Sequence, residues 1–374
     1  MREVFVVRQA VATGLGPDID TTWQGLLQGR SAVGVPERLP ADRGGRAGVP
    51  RIPAAPAAAR KNRVCALARR VLAAVAPIPP GAGIIWTGVK GNAEFIEAGQ
   101  AAGMPYLAEH YLHWVAHTLG VPPLGFELNA ACASSTAGIA IGALKIARGE
   151  YGAVLVCAAD VATDFVRSGF SALKALSPTR CRPFDRARDG MCLGEGAVAI
   201  LLADADTARA CGLVPLARLS GWGLSNDATH ITAPAADGTG LAAALEAALR
   251  TSGTAADEVG AFCAHGTGTV FNDAMELNAI ERLFGDRRLP VFSIKGAVGH
   301  TLGAAGGIDA AVCIRALAER RVPPTAGLET PEPRASGRAS GFPQGFDGRC
   351  ILTSNSGFGG VNAALMLHSP EPIK

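Results

Sequence analysis

Apolar and polar positions along the chain fall into two successive series of short apolar runs and longer helix-periodic stretches. In the first, strand-like runs at Phe5 to Val7, Gly83 to Trp86, Gly125 to Asn129, Ala153 to Ala158 and Ala197 to Leu202 alternate with helical stretches at Ala57 to Ala74, Ser134 to Arg148 and around Ala208. The second runs through Leu216 to Gly221, Ala242 to Arg250, Val259 to Ala264, Asp273 to Phe284, Val291 to Ile294, Ala304 to Glu319, Cys350 to Ser354 and Ala363 to Leu367. Strands and helices in alternation predict α/β layering. The near repetition of element order around residue 205 divides the chain into an N-terminal half, 1–205, and a C-terminal half, 206–374. Two segments break the pattern: Val35 to Pro56 and Val322 to Gly348 are rich in proline and glycine and predict surface loops.

Composition narrows the classes of function. With 374 residues and 48% apolar side chains there is ample material for a buried core. A net charge of +3 gives no argument for nucleic acid. The nine cysteines are odd in number, sit mostly in apolar runs and lack zinc-type CxxC pairing, which predicts reduced thiols and a cytoplasmic location. Met1 to Val7 reads as a short strand with an early acid, unlike a signal-peptide core. No apolar run reaches the ~18 residues of a membrane span.

Candidate chemistry begins at Cys132, in Asn129-Ala-Ala-Cys-Ala-Ser-Ser135, where the apolar run from Leu124 meets the helical stretch from Ser134. A thiol at the N-terminal end of a buried helix faces unpaired amide donors and the positive end of the helix dipole, which favour thiolate. Alone, such a cysteine reads as a small hydrophobe. It is joined downstream by His265-Gly-Thr-Gly-Thr269, by Lys295-Gly-Ala-Val-Gly-His300-Thr-Leu-Gly-Ala-Ala-Gly306 and by Asn355-Ser-Gly-Phe-Gly-Gly-Val-Asn362, each following or ending an apolar run. A thiol and two imidazoles at strand ends, set among glycines that let backbone approach a ligand, predict one shared cleft.

These motifs, in this order, closely resemble the β-ketoacyl-[acyl carrier protein] synthases of the elongating type, in the thiolase-like superfamily. The resemblance runs from the Ala12-Thr-Gly-Leu-Gly16 turn to Gly357-Phe-Gly-Gly360 and takes in Arg182-Pro-Phe-Asp185 and Gly190-Met-Cys-Leu-Gly-Glu-Gly196. It implies a five-layered αβαβα fold of two pseudo-repeated halves, with the nucleophile in the first half and two catalytic histidines in the second. Cys132 would hold the acyl chain, and His265 and His300 would hydrogen-bond the malonyl thioester carbonyl while carbon dioxide leaves. The amides of Cys132 and Phe358 would form a further oxyanion hole. Thr232, Thr267, Thr269, Phe358 and Gly359 would contact substrate. Lys295 would order the site by pairing with Asp309, which stands where relatives often have Glu. The substrates ride on the phosphopantetheine arm of acyl carrier protein, and the resemblance implies no other cofactor and no metal. It also implies a homodimer in which the Ala153 to Ala158 strand pairs across a two-fold axis, or a heterodimer with a related ketosynthase-like subunit. The stretch between Trp86 and Phe126 and the loop before Arg182 are shortened, and in the family such segments shape the acyl pocket and the dimer contact.

Other signals compete. Arg60, Lys61, Arg63, Arg69 and Arg70 make a basic helix face, which is either solvated surface or, as the resemblance implies for the Arg60 and Lys61 position, a dock for an acidic carrier protein. His110, His113 and His117 share a helix face, but no cysteine or well-placed acid completes a zinc set, so a polar face is the better reading. The glycine clusters lack the order of a phosphate-binding loop. A chain-length-factor-like partner subunit would typically lack the nucleophile; a degradative thiolase would carry a C-terminal Cys-x-Gly; a hydrolase would carry a Gly-x-Ser-x-Gly elbow.

Overall fold

The computed structural model describes residues 1–33, 63–88, 93, 94 and 109–370; Arg60, Lys61, the side chain of His110 and the Val35 to Pro56 segment lie outside the described residues. In chain order the elements are β1 (Phe5–Thr13), α1 (Ile19–Leu27), α2 (Arg63–Val75), β2 (Gly83–Thr87), α3 (Glu109–Leu119), β3 (Gly125–Leu128), α4 (Ser134–Ala147), β4 (Ala153–Asp160), α5 (Asp164–Ala172) and β5 (Gly196–Ala203). They continue with α6 (Ala205–Ala210), β6 (Ala217–Asn226), α7 (Thr239–Ser252), β7 (Ala261–Cys263), α8 (Val270–Phe284), β8 (Val291–Phe292), α9 (Lys295–Val298), α10 (Ala305–Glu319), β9 (Arg321–Val322), β10 (Gln344–Gly345), β11 (Cys350–Gly357) and β12 (Val361–His368). The periodic stretches become these elements with shifted ends. The nine-residue helices α1 and α5 have no counterpart in the hydrophobic pattern, and each starts on a polar cap, Asp18 accepting from the Thr21 amide and Thr163 from the Val166 amide.

Ten strands share one ladder in the order β3-β2-β4-β5-β1-β6-β12-β11-β7-β8. Its two halves repeat a single pairing scheme. In the first, β1–β5 and β5–β4 are antiparallel while β4–β2 and β2–β3 are parallel. In the second, β6–β12 and β12–β11 are antiparallel while β11–β7 and β7–β8 are parallel. Within the ladder, the two strand sets are joined where Phe5 and Val6 pair with Arg218 and Ala217.

Alternation along the strands separates three cores. In β4, Val154 and Val156 point into a central core with Ile139 of α4, Ile308 and Val312 of α10, and Ile351 and Leu365 of the second half. Ala153, Leu155 and Cys157 point the other way, against Leu72 of α2 and Val115 of α3. Leu352 and Met366 likewise face outward onto Leu245 of α7 and Ile280 of α8. The layers therefore read α2/α3, first strands, α4/α10, second strands, α7/α8. Strands covered on both faces are apolar throughout, which is why they read as unbroken runs in the sequence.

Two expectations are corrected. β4 cannot pair across a two-fold axis, because β2 and β5 flank it and all its residues are buried. The outer strand of that half is β3, paired with β2 and partly exposed. The Val322 to Gly348 segment is not all surface: Val322, Thr325, Ala335 and Arg338 are buried, because the loop lines the second half beside β8.

Candidate active site

The thiol is delivered by a strained turn. After β3, the Asn129 side chain accepts from the Ala131 amide at 3.0 Å, and Ala131 takes φ +49°, a conformation that costs an alanine roughly 1–2 kcal/mol. The Ser134 hydroxyl holds it there, donating to the Ala131 carbonyl at 2.6 Å and receiving the Ala130 amide at 2.9 Å. Cys132 thus sits buried, two residues ahead of α4, at the positive end of a helix with no side-chain cap. Gly357 at the end of β11 runs against this turn. A methyl group on it would stand 2.8 Å from the Ala130 carbonyl and 3.0 Å from the Cys132 nitrogen.

The two imidazoles come from the second half. His265 follows β7, its own amide and that of Gly266 donating to the two carboxylate oxygens of Glu276 in α8 at 2.7 and 2.6 Å. His300 is pinned to the first half by its amide on the Cys192 carbonyl at 2.7 Å. The rings meet edge to face with centroids 5.1 Å apart. Nδ1 of His300 accepts the Leu302 amide at 3.1 Å, and Nδ1 of His265 faces the Asn355 Nδ2 donor at 3.1 Å. With Nδ1 accepting in both, each ring carries its proton on Nε2. Burial, then the Lys295 charge and the electrostatic influence of the adjoining His300 ring, hold His265 well below the ordinary imidazole value, so its ring is neutral at pH 7.

Asn355 is the functional residue that sequence reasoning passed over. Thr136 of α4 donates to its Oδ1 at 2.5 Å, so its Nδ2 is free to donate both to His265 and to Asp309 Oδ2, the latter at 2.9 Å. Lys295 Nζ reaches the same Asp309 oxygen at 3.2 Å, both side chains being fully buried. Burial raises the Asp309 carboxyl, while Lys295 and Asn355 pull against it. Lys295, Asp309, Asn355 and His265 form one hydrogen-bonded line. The Lys295–Asp309 pair of this line is the one the resemblance implies, and the sequence signal for Asn355 is its place at the head of the Asn355 to Asn362 motif, ending an apolar strand.

Cys132, His265 and His300 line one cavity of about 340 Å³ together with Thr232, Thr267, Thr269 and Phe358. The Thr267 and Thr269 hydroxyls bond one another at 2.9 Å, and Thr269 also caps α8. The Phe358 ring leans on Phe170 with centroids 5.6 Å apart. The next residue, Gly359 at φ +86°, donates to the Ile231 carbonyl at 2.7 Å, joining the Phe358 loop to the loop of Thr232. Gly359 itself does not line the cavity. Arg63 does not fit a docking face: its guanidinium turns inward to the buried carboxylate of Glu195. His113 and His117 lie on the exposed side of α3.

Residues 107–208 match the family described as Beta-ketoacyl synthase, N-terminal domain, and residues 216–329 match its C-terminal domain. The chain is 32% identical over 299 residues to 3-oxoacyl-[acyl-carrier-protein] synthase 2 of Vibrio cholerae serotype O1, covering 74% of this chain and 71% of that protein. To nodulation protein E of Rhizobium meliloti it is 36% identical over 255 residues, 67% of this chain and 63% of the relative. Among solved structures, the ishigamide ketosynthase/chain length factor superposes with a TM-score of 0.87 at 26% identity, over 99% of this chain and 100% of the other. Two paired halves, a buried thiol with two imidazoles and these relatives agree: the chain belongs to the β-ketoacyl synthase family, whose thiolase fold it shares.

Proposed function

We propose that the protein is an acyltransferase that condenses an acyl chain held on Cys132 with malonyl-[acyl carrier protein], giving β-ketoacyl-[acyl carrier protein] in fatty acid or polyketide-type synthesis. The observation that carries this reading is the convergence of the Cys132 thiol with two imidazoles, both presenting Nε2–H, in one cavity. The Cys132 sulfur attacks the acyl thioester and releases the carrier thiol. The malonyl carboxylate then leaves as carbon dioxide, and its bond electrons pass to the thioester as an enolate that the Nε2–H donors of His265 and His300 stabilise. The enolate carbon attacks the acyl carbonyl, whose oxyanion the amides of Cys132 and Phe358 receive, and the Cys132 thiolate departs. The close approach of Gly357 to the Cys132 nitrogen supports that pairing of amides. Lys295 and Asp309 act as positioning residues through Asn355. Thr232, Thr267 and Thr269 are assigned to the phosphopantetheine arm, the only carried group the reading requires.

An acyl carrier protein is the partner this chemistry needs, and the docking assignment at Arg60 and Lys61 rests on the basic residues there in the sequence and on the resemblance. The partly exposed outer strand β3 supports a homodimer formed along that edge. A pair with a ketosynthase-like subunit is the alternative, favoured by the likeness to a ketosynthase/chain length factor. The repeated strand pairing supports a division of labour at residue 205, and the cysteine usage supports a cytoplasmic setting. Among the described residues no helix is long and apolar enough to cross a membrane. The deciding experiment is mass spectrometry after exposure to acyl-carrier thioesters: an acyl group on Cys132 supports the reading, and none on any thioester rejects it.

A further inference from the structure

A second cavity, about 110 Å³, opens at the carboxyl ends of the parallel strands β2, β3 and β4, of which β3 leads into the Cys132 turn. In sheets of this kind ligands gather at the carboxyl ends of the strands. Its walls include Asn129, which braces the Cys132 turn, and Asp160, whose Oδ2 accepts the Gly303 amide at 2.8 Å in the loop after His300. Two of its wall residues therefore bond directly to the Cys132 turn and to the loop after His300. Val64, Trp86 and Leu128 give it apolar surface. It has room for roughly three to four water-sized groups, enough for the end of a short chain.

Its polar lining is at odds with a plain hydrocarbon. Tyr111 is 5% exposed and lies flat on Trp86, centroids 4.6 Å apart and planes within 11°. Its hydroxyl has no hydrogen-bond partner among the described residues. A buried hydroxyl left so costs about 1–3 kcal/mol unless a guest receives its proton. Burial pushes the phenol above its ordinary value, so it remains a donor at any working pH. Glu127 also lines the cavity, with Oε1 receiving the Leu112 amide at 2.8 Å.

We infer that this cavity receives the far end of the acyl chain on Cys132 and selects chains bearing an oxygen there over all-methylene chains of equal length. The inference rests on Cys132 carrying the acyl group. A hydroxyl on the chain accepts from Tyr111 and donates to a wall carboxylate; a keto oxygen makes the first bond only; a methyl end makes neither. The order expected is hydroxyl, then keto, then methylene.

The test is competition among hexanoyl, 5-oxohexanoyl and 5-hydroxyhexanoyl pantetheine thioesters, reading the adduct on Cys132 by mass spectrometry in the wild type and in Tyr111→Phe. The wild type should load the hydroxy chain roughly tenfold faster than hexanoyl, the worth of about one buried hydrogen bond. In Tyr111→Phe that ratio should fall toward one while the hexanoyl rate is held. Equal loading of all three by the wild type overturns the inference and leaves the acyl-enzyme reading standing, and so does a preference that survives Tyr111→Phe. Absence of adduct from every thioester overturns both.

Discussion

The side-chain amide of Asn355 donates to Nδ1 of His265 at 3.1 Å and to Asp309 at 2.9 Å. One residue thereby sets the tautomer of an imidazole in the second half and ties it to the buried Lys295 pair. Asn355→Asp puts an acceptor where the ring needs a donor and turns the His265 proton to Nδ1. Carbon dioxide release from malonyl thioester should fall on the order of 10² to 10³, the usual loss for one oxyanion donor, with loading of Cys132 largely retained. Equal loss of loading and decarboxylation would show that the change damages the fold instead.

Cys132→Ala should remove the covalent adduct and condensation together, yet leave malonyl decarboxylation measurable, because the histidines and not the thiol stabilise the enolate. Intact-mass analysis beside a carbon dioxide assay checks both halves of this expectation. A normal adduct in the variant would assign the nucleophile elsewhere.

Lys295→Met leaves the Asp309 carboxylate buried without its cation, a change that typically costs about 3–5 kcal/mol. Denaturant unfolding should show that loss, and adding Asp309→Asn should recover part of it. Because the Lys295 charge also helps hold His265 down, the acid limit of decarboxylation should move to higher pH in Lys295→Met. Unchanged stability and an unchanged pH profile would separate the pair from the histidine.

His265 also makes a prediction about pH and stability. Its native value is held well below 6.5, so below that pH the unfolded chain binds a proton that the native ring does not. Stability from this group is full above 6.5 and is lost as pH falls, at up to about 1.4 kcal/mol per pH unit. His265→Gln should lack that slope, which the difference between the two denaturation series from pH 7 to 5.5 will show. Parallel slopes would mean that the native ring protonates as readily as the unfolded one.

What the sequence by itself determined is what local chemistry determines. Buried strands read as apolar runs because both their faces are covered, and α4, with no charge before Lys145, could only be an inner helix. Cys132, His265, His300 and Lys295 were legible because their motifs, taken in order, carry the family resemblance; the thiol and both imidazoles share one cavity, and Lys295 connects to His265 through Asp309 and Asn355. The tertiary structure decided the rest, because it depends on which distant segments touch. Asn355 acquires a role only when α4 and α10 pack closely enough for Thr136 to reach it, and a side chain on Gly306 would collide with both. Arg63 reads as surface charge until the fold brings Glu195, 132 residues away, beneath it. The edge of the first half passes from β4 to β3 because strand order follows from crossover connections that no periodicity encodes. Tyr111 is one more apolar position on a helix until the ends of β2, β3 and β4 close around its hydroxyl.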